Sequence, residues 1–315
     1  MLDTFDCMYN GREWETKVTF NGNTAFDSKE IIDWNIVCEQ DTSKIVGATL
    51  GKQLELTMLS EVATNLDGTL KLELGLIKDN NTHWFDMGSY WKVASIEQRD
   101  AQTVKITAYD PMCYLFEDKY LEGSYSQDIT LADLVSHIQT KFGITIQGTI
   151  PDLQIMNPYG ETYRDVISVI AMCSACNSYF ANNEMKIKLV PLKPKTTPDL
   201  EISDDFYYNC SFDRSAFEVA KVTLDVGDNF GFQRGNGTQE ETVALNCSFG
   251  NQLVCDNIYN NIVGYTCEGI NAKVLGNPAL EPFDTISLTD IYGNIHKIIL
   301  KCSIFSKYGA QAGIL

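Results

Sequence analysis

Apolar and polar positions follow two different rhythms along this chain. From Thr130 to Leu192 the rhythm is mixed. TLADLVSHIQTKFG offers Thr130 as a helix cap with Asp133 three positions on, places Leu131, Leu134, Val135 and Ile138 on one face, and stops at Gly143. A short strand is expected over 144–150. GETYRDVISVIAMCSACNSYF then predicts a second helix with Tyr163, Val166, Ile167, Ile170 and Ala171 on one stripe. In EMKIKLVPL, Met185, Ile187 and Leu189 alternate with Lys186 and Lys188, the period of a half-buried strand. The middle of the chain therefore reads helix, strand, helix, strand.

Both flanks read as strand. Before the middle unit, alternation predicts strands at WETKVTF (14–20), IIDWNIVC (31–38), within ATLGKQLELTML (48–59) and at LKLELGL (70–76). A turn at 79–82 precedes a strand from Trp84. YWKVASIE (90–97) and TVKITAY (103–109) form a hairpin around Arg99 and Asp100, followed by one helical turn in DPMCYL (110–115). After it, strands are expected at 218–226, 242–247, weakly at 267–274, at 285–289 and at 296–304. GDNFGFQRGNGTQEE (227–241) reads as a long glycine-rich hairpin loop. One helix is expected over 251–262, with Leu253, Ile258 and Ile262 on its apolar side. The polar stretch 124–130 and PKTTPD (194–199) look like connectors. This divides the chain into 1–123, 124–199 and 200–315.

Composition bounds what such a chain can be. At 315 residues, 44% hydrophobic and 11% aromatic, it is long and apolar enough for two or three cores. No apolar run reaches the roughly 18 residues that would span a bilayer. The acidic, polar start MLDTFDCMYNGREW is unlike a signal peptide, so synthesis and folding in a cytoplasm are expected. The ten cysteines are scattered and several sit in apolar patterns, so free buried thiols are expected. The close pair Cys173 and Cys176 falls inside the second helix. A redox CxxC needs an exposed helix N-terminus, so this pair is expected to be structural.

Catalytic signals are poor. His83, His137 and His296 are isolated, and no HExxH, GxSxG or phosphate loop occurs. The glycines of GFQRGNG are followed by no helix that could receive phosphate. With 42 acids some carboxylate pair is inevitable, which leaves a glycosidase reading without specificity. Asp228, Asp256 and Asp290 lack the spaced oxygens of a calcium loop. No catalytic, cofactor or metal residue is assigned. Trp14, Trp34, Trp84 and Trp91 could stack on sugars, but in alternating strands core packing is the commoner fate. The net charge of −18 argues against wrapping nucleic acid.

Three stretches together carry a resemblance: TVKITAYDPMCYLFEDKY (103–120), ETYRDVISVIAMCSACNSYFANNEMKIKLVPL (161–192) and GNPALEPFDTISLTDIYGNIHKIIL (276–300). In this order they resemble the baseplate hub family of bacteriophage tails, which includes the N-terminal hub part of tail-associated lysins and similar proteins of contractile injection particles. The resemblance implies an α+β, mostly β fold: two tail-tube-like β-barrel domains with a smaller α+β domain between them in sequence. It implies a structural virion protein at the tail tip, made in the host bacterial cytoplasm. The role implied is a homotrimer that adapts a six-fold tube to a three-fold tip and lines part of the DNA conduit. Its implied partners are the distal tail or tail tube protein ring above, a tail tip, spike or fibre protein below, and the tape measure protein and passing DNA in the lumen. Many members carry a peptidase or lysozyme after the hub; this chain stops at Leu315, so no enzyme is expected. The alternatives are a tail-associated cell-wall hydrolase and a tail-tip carbohydrate-binding protein.

Overall fold

The computed structural model describes residues 13–22, 24–39, 45–60, 68–78, 80–123, 128–181, 184–202, 207–274, 277–278, 280–306 and 309–314. The first part of the chain forms β1 (Glu13–Phe20), β2 (Thr24–Phe26), β3 (Ile31–Glu39), β4 (Thr49–Leu59), β5 (Thr69–Lys78), β6 (Asn81–Asp86), β7 (Trp91–Gln98) and β8 (Thr103–Tyr109). Their period-two patterns do what they predict. Leu54, Leu56 and Met58 of β4 and Leu70, Leu72 and Leu74 of β5 face one core with Val18, Phe20, Trp34 and Ile106. The ladder β1–β5–β7–β8–β4–β3 is antiparallel throughout. The β7–β8 turn is held by Asp100, whose carboxylate accepts from the Gln102 and Thr103 amides at 2.7 and 2.8 Å. Trp34 and Trp91 are core residues, and Trp14 packs edge-on against Trp34.

A single helical turn, α1 (Pro111–Tyr114), leaves the first sheet, and the middle part forms β9 (Asp128–Thr130), α2 (Leu131–Phe142), β10 (Thr145–Gln147), β11 (Gln154–Met156), α3 (Tyr163–Cys173), β12 (Cys176–Phe180) and β13 (Lys186–Pro191). Both longer helices start from a Thr cap. The hydroxyls of Thr130 and Thr162 accept from the amides of Asp133 and Asp165, each at 3.1 Å, so acid also sits in the first turn where the helix dipole favours it. Gly143 ends α2 in the left-handed region at φ 64°.

The second helix is shorter than its sequence predicts. It ends at Cys173, Ala175 turns the chain at φ 52°, and Cys176 opens a strand. Cys173 and Cys176 therefore do not share a helix, which corrects the expectation that both lie within it. All five residues of β12 are buried: β13 and β4 pair its two edges, Phe116 packs against Phe180 on one face and Phe283 against Tyr179 on the other. A strand covered on both faces shows no alternation, which is why CNSYF reads as more helix.

The last part forms β14 (Leu200–Ile202), β15 (Tyr207–Glu218), β16 (Lys221–Gly227), β17 (Phe230–Gly235), β18 (Thr242–Asn246), α4 (Gln252–Ile262), β19 (Thr266–Val274), β20 (Thr285–Thr289), β21 (Ile295–Ser306) and β22 (Gly309–Ile314). Two expectations need correction here. The strand expected over 218–226 is the end of β15 and most of β16, broken at 219–220. The segment expected as a hairpin loop over 227–241 does hold a hairpin turn, but the turn is confined to Asp228 and Asn229, both at positive φ, and Phe230–Gly235 form β17, paired with β16. The helix expected at 251–262 is present, with Asn251 as its cap. Leu253, however, is 62% exposed, and Val254 and Cys255 take the buried side.

Two features tie these parts together. Strand β21 pairs with β3 (Phe305↔Ile36), so the ladder β15–β19–β22–β21 runs directly into the first sheet. Sheet β17–β16–β18 and helix α4 put Val222, Leu224, Val243, Val254 and Ile258 into the same core as α2 and α3. At one contact Asn257 donates to the Cys173 carbonyl at 2.8 Å. No helix among the described residues is long and apolar enough to cross a membrane.

Cys38, Cys113, Cys173, Cys176, Cys247 and Cys255 are thiols that form no disulfide. Cys7 and the side chains of Cys210, Cys267 and Cys302 lie outside the described residues. The neighbouring Cys247 thiol and burial together push the Cys173 thiol well above its ordinary range, which keeps it protonated and inert. Cys173→Ala is expected to cost about 1–2 kcal/mol through lost packing, read as a lower urea midpoint. Iodoacetamide should leave Cys173 unlabelled in the native protein, and rapid native labelling would contradict this placement.

Candidate assembly surfaces

The residues singled out in the sequence do not converge. His137 is 2.8 Å from the Tyr163 hydroxyl and stacks on its ring. His83 lies in β6, opposite Leu76 of β5. His296 lies 3.3 Å from Asp290. Asp228 sits in the β16–β17 turn, and Asp256 faces Arg234 at 3.9 Å. No cluster of His, Cys, Asp or Glu among the described residues could hold a metal ion. Two other places carry the unusual chemistry.

The first is a charged joint where three parts of the chain meet. The Tyr179 hydroxyl of β12 donates to Glu281 at 2.7 Å, and Lys188 of β13 donates to the same carboxylate oxygen. Lys52 of β4, only 4% exposed, lies 5.7 Å from the centre of the Tyr179 ring, as does Lys188. One step further, Asp284 accepts from the Glu281 amide at 2.8 Å. Asp199 accepts from the Thr285 amide and from Lys195. Burial pushes Glu281 up, but the hydrogen bonds from Lys188 and Tyr179 outweigh it and hold the carboxyl below its ordinary range. Burial pushes Asp284 up to about 7, and the Asp199 charge adds to the rise. Between these acids Phe283 is 2% exposed at φ 66°, a conformation bulky residues adopt only under constraint. The segment is the LEPFD within 276–300. No pattern in the sequence announces a joint there, because its two acids are lost among the chain's 42.

The second place is apolar and exposed. At the tip of the β20–β21 hairpin, Ile291, Tyr292 and Ile295 are 69%, 83% and 68% exposed. The tip is nevertheless firmly held. Asp290 accepts from the amides of Tyr292 and Asn294 and from the Asn294 side chain, each at 2.8 Å. Those bonds, Asn294 first, hold its carboxyl down at about 2. On β16–β17–β18 an open hollow of about 540 Å³ has Thr223, Asp225, Phe230, Phe232, Gln233 and Ala244 in its lining, with Phe230 58% exposed.

Comparison with family models and with curated proteins finds no match. Solved structures do match over nearly the whole chain. The tail protein from Neisseria meningitidis MC58 superposes with a TM-score of 0.62 at 10% identity, covering 96% of this chain and 95% of that one. Prophage tail protein gp18 from Listeria monocytogenes EGD-e gives 0.56 at 11% identity, covering 96% and 94%. The c3393 protein of E. coli gives 0.52 at 9% identity, covering 95% of this chain and 76% of that one. The chain therefore has the fold of phage-type tail proteins. The c3393 protein is itself described as a component of the type VI secretion system with structural similarity to the T4 tail proteins gp27 and gp5. The expected fold class, α+β and mostly β, is the one found.

Proposed function

We propose that this chain is a structural protein of a phage-type tail: a homotrimeric baseplate hub at the distal end of the tail tube. The observation that carries the reading is the shared fold over 95–96% of the chain with three tail or secretion-system proteins. The continuous ladder from β3 into β21 supports it, since two β-rich units fused edge to edge suit a rigid ring segment. On this reading residues 1–123 and 200–315 supply two tube-like domains and 124–199 the α+β domain, whose core β16, β18 and α4 help to fill. Three copies present six tube-like domains and so match a six-fold tube to a three-fold tip. The neighbours are the distal tail or tube ring above and a tip, spike or fibre protein below. The tape measure protein and DNA pass through the lumen unbound. The location is the virion, and no catalytic step is assigned.

The net charge of −18 fits a conduit, because an acidic wall repels the duplex and lets it slide. Screening confines that effect to about 8–10 Å at physiological salt, comparable to the gap between duplex and wall. The segment 218–241 is a candidate source: it carries Glu218, Asp225, Asp228, Glu240 and Glu241 against Lys221 and Arg234. Negative-stain images and light scattering of the purified chain test the reading. Three-fold rings are expected, with acids outnumbering Lys and Arg on the lumen wall of a reconstruction. Monomer at every concentration, together with one or six copies per particle, overturns the trimer. A net basic lumen overturns the conduit.

A further inference from the structure

Among the described residues, Asp110 carries the one carboxylate oxygen, Oδ2, that is buried and accepts from no protein donor. The residue stands between β8 and α1 and is 4% exposed. Its amide donates to the Lys52 carbonyl of β4 at 3.0 Å, which fixes the backbone. Its Oδ1 accepts from the Cys113 amide at 3.3 Å, which turns that oxygen toward α1. Oδ2 is the oxygen left over. A buried acceptor without a donor is costly, and native proteins satisfy such groups with protein atoms or with ordered water.

The space beside it suits water. Asp110 and Lys52, both 4% exposed, line a small cavity together with Gly88, Trp91, Phe180 and Ala181. About 10 Å³ of it is open to the centre of a water-sized sphere, roughly what one water molecule needs and too little for a larger ligand. Asp110 and Lys52 make its wall polar at two points, the fewest that hold a buried water. The Trp91 indole cannot serve Oδ2 instead, because its N–H already donates to the Met87 carbonyl at 3.2 Å. We propose that this cavity is a water site, in which one ordered molecule donates to Asp110 Oδ2 and accepts from the Lys52 ammonium.

The charges select water over an ion. A carboxylate and an ammonium in one wall cancel, so neither a cation nor an anion gains net attraction there. Burial pushes the Asp110 carboxyl up to about 6, with the Lys52 charge the largest opposing influence, so the acid is short of donors and still ionised at neutral pH. The place gives the molecule a part in the fold. Lys52 also lies over the Tyr179 ring, and its charge acts on Glu281. The water therefore links the exit of the first sheet at Asp110 to the charged joint, in one polar line through Lys52 and Tyr179 to Glu281.

A high-resolution crystal structure of the full chain tests this. The expected result is a peak that refines as water within hydrogen-bonding distance of both Asp110 Oδ2 and Lys52 Nζ. Asp110→Asn keeps an acceptor for the Cys113 amide and a polar atom at the Oδ2 position, so it should keep the peak. Asp110→Leu should lose it. In solution, magnetic relaxation dispersion of the water oxygen should count one long-lived molecule fewer in Asp110→Leu than in Asp110→Asn. The parent crystal decides the matter where Asp110→Leu fails to fold. A cavity without a peak, a direct ion pair from Lys52 to Asp110 across it, or a peak that refines as a metal ion overturns the inference. Equal numbers of long-lived waters in the two variants overturn it as well. None of these outcomes touches the hub reading.

Discussion

Glu281→Ala is expected to lower stability by about 2–3 kcal/mol, an effect at the high end for a single change in this chain. The carboxylate accepts from Tyr179 and from Lys188, and both partners belong to the middle part of the chain. Removing it leaves the hydroxyl of the buried Tyr179 and a partly buried ammonium without this acceptor. Breaking a fully buried pair from one side costs about 3–5 kcal/mol, whereas an exposed pair costs about 0–1. The side chains of Lys188 and Glu281 are 30% and 27% exposed, so a value between the two is expected. Glu281→Gln keeps an acceptor for Tyr179 but loses the charge, and should recover about half of the loss. Urea titrations of the three proteins check this. A Glu281→Ala cost below about 0.5 kcal/mol would place the pair in the exposed class and remove its role as a joint.

How much of this could be read beforehand follows from which patterns the environment leaves visible. Helix α2 was legible because each of its signals is local: the Thr130 cap, one apolar stripe and Gly143 at φ 64°. Strands β1, β4 and β8 were legible because their buried positions alternate with open ones. Strand β12 was not, because tertiary packing covers both of its faces. Strand β17 was missed for the opposite reason: GFQRG is largely exposed and rich in glycine, so neither alternation nor propensity marks it. The fusion of β21 to β3 and the joint at Glu281 depend on residues far apart in sequence, and no local pattern encodes such pairings. The hairpin tip was closer to legible. Ile291, Tyr292 and Ile295 around Gly293 place three apolar residues where a turn should be polar, and that mismatch is the signal.

The second large effect concerns pH and resides in Asp284. Its carboxyl is pushed up from 3.8 to about 7, first by burial and then by the nearby Asp199. A carboxyl raised in the folded state binds its proton more tightly there than in the unfolded chain. Stability is therefore undiminished below the unfolded value near 4 and falls as pH rises toward 7, where the folded protein also ionises. Above that the loss levels off. Every tenfold gain in proton affinity on folding corresponds to about 1.4 kcal/mol, and partial exposure of the site brings the expected total to about 2–3 kcal/mol. Glu281 works in the opposite sense: held below its ordinary value, it stabilises above about 4.5, and that contribution is lost on acidification. The groups facing Asp284 are Asp199, Lys195 and Glu281, with Lys188, Lys52 and Tyr179 on the far side of Glu281. Asp284→Asn keeps an oxygen for the Glu281 amide and removes the titration. The variant should match the parent near pH 4, begin to exceed it at pH 5 and exceed it by about 2–3 kcal/mol at pH 8. Urea midpoints at pH 5, 6.5 and 8 decide the matter. Equal differences between the two proteins at all three values would show that Asp284 ionises normally, and that the charged joint tolerates all three of its acids at once.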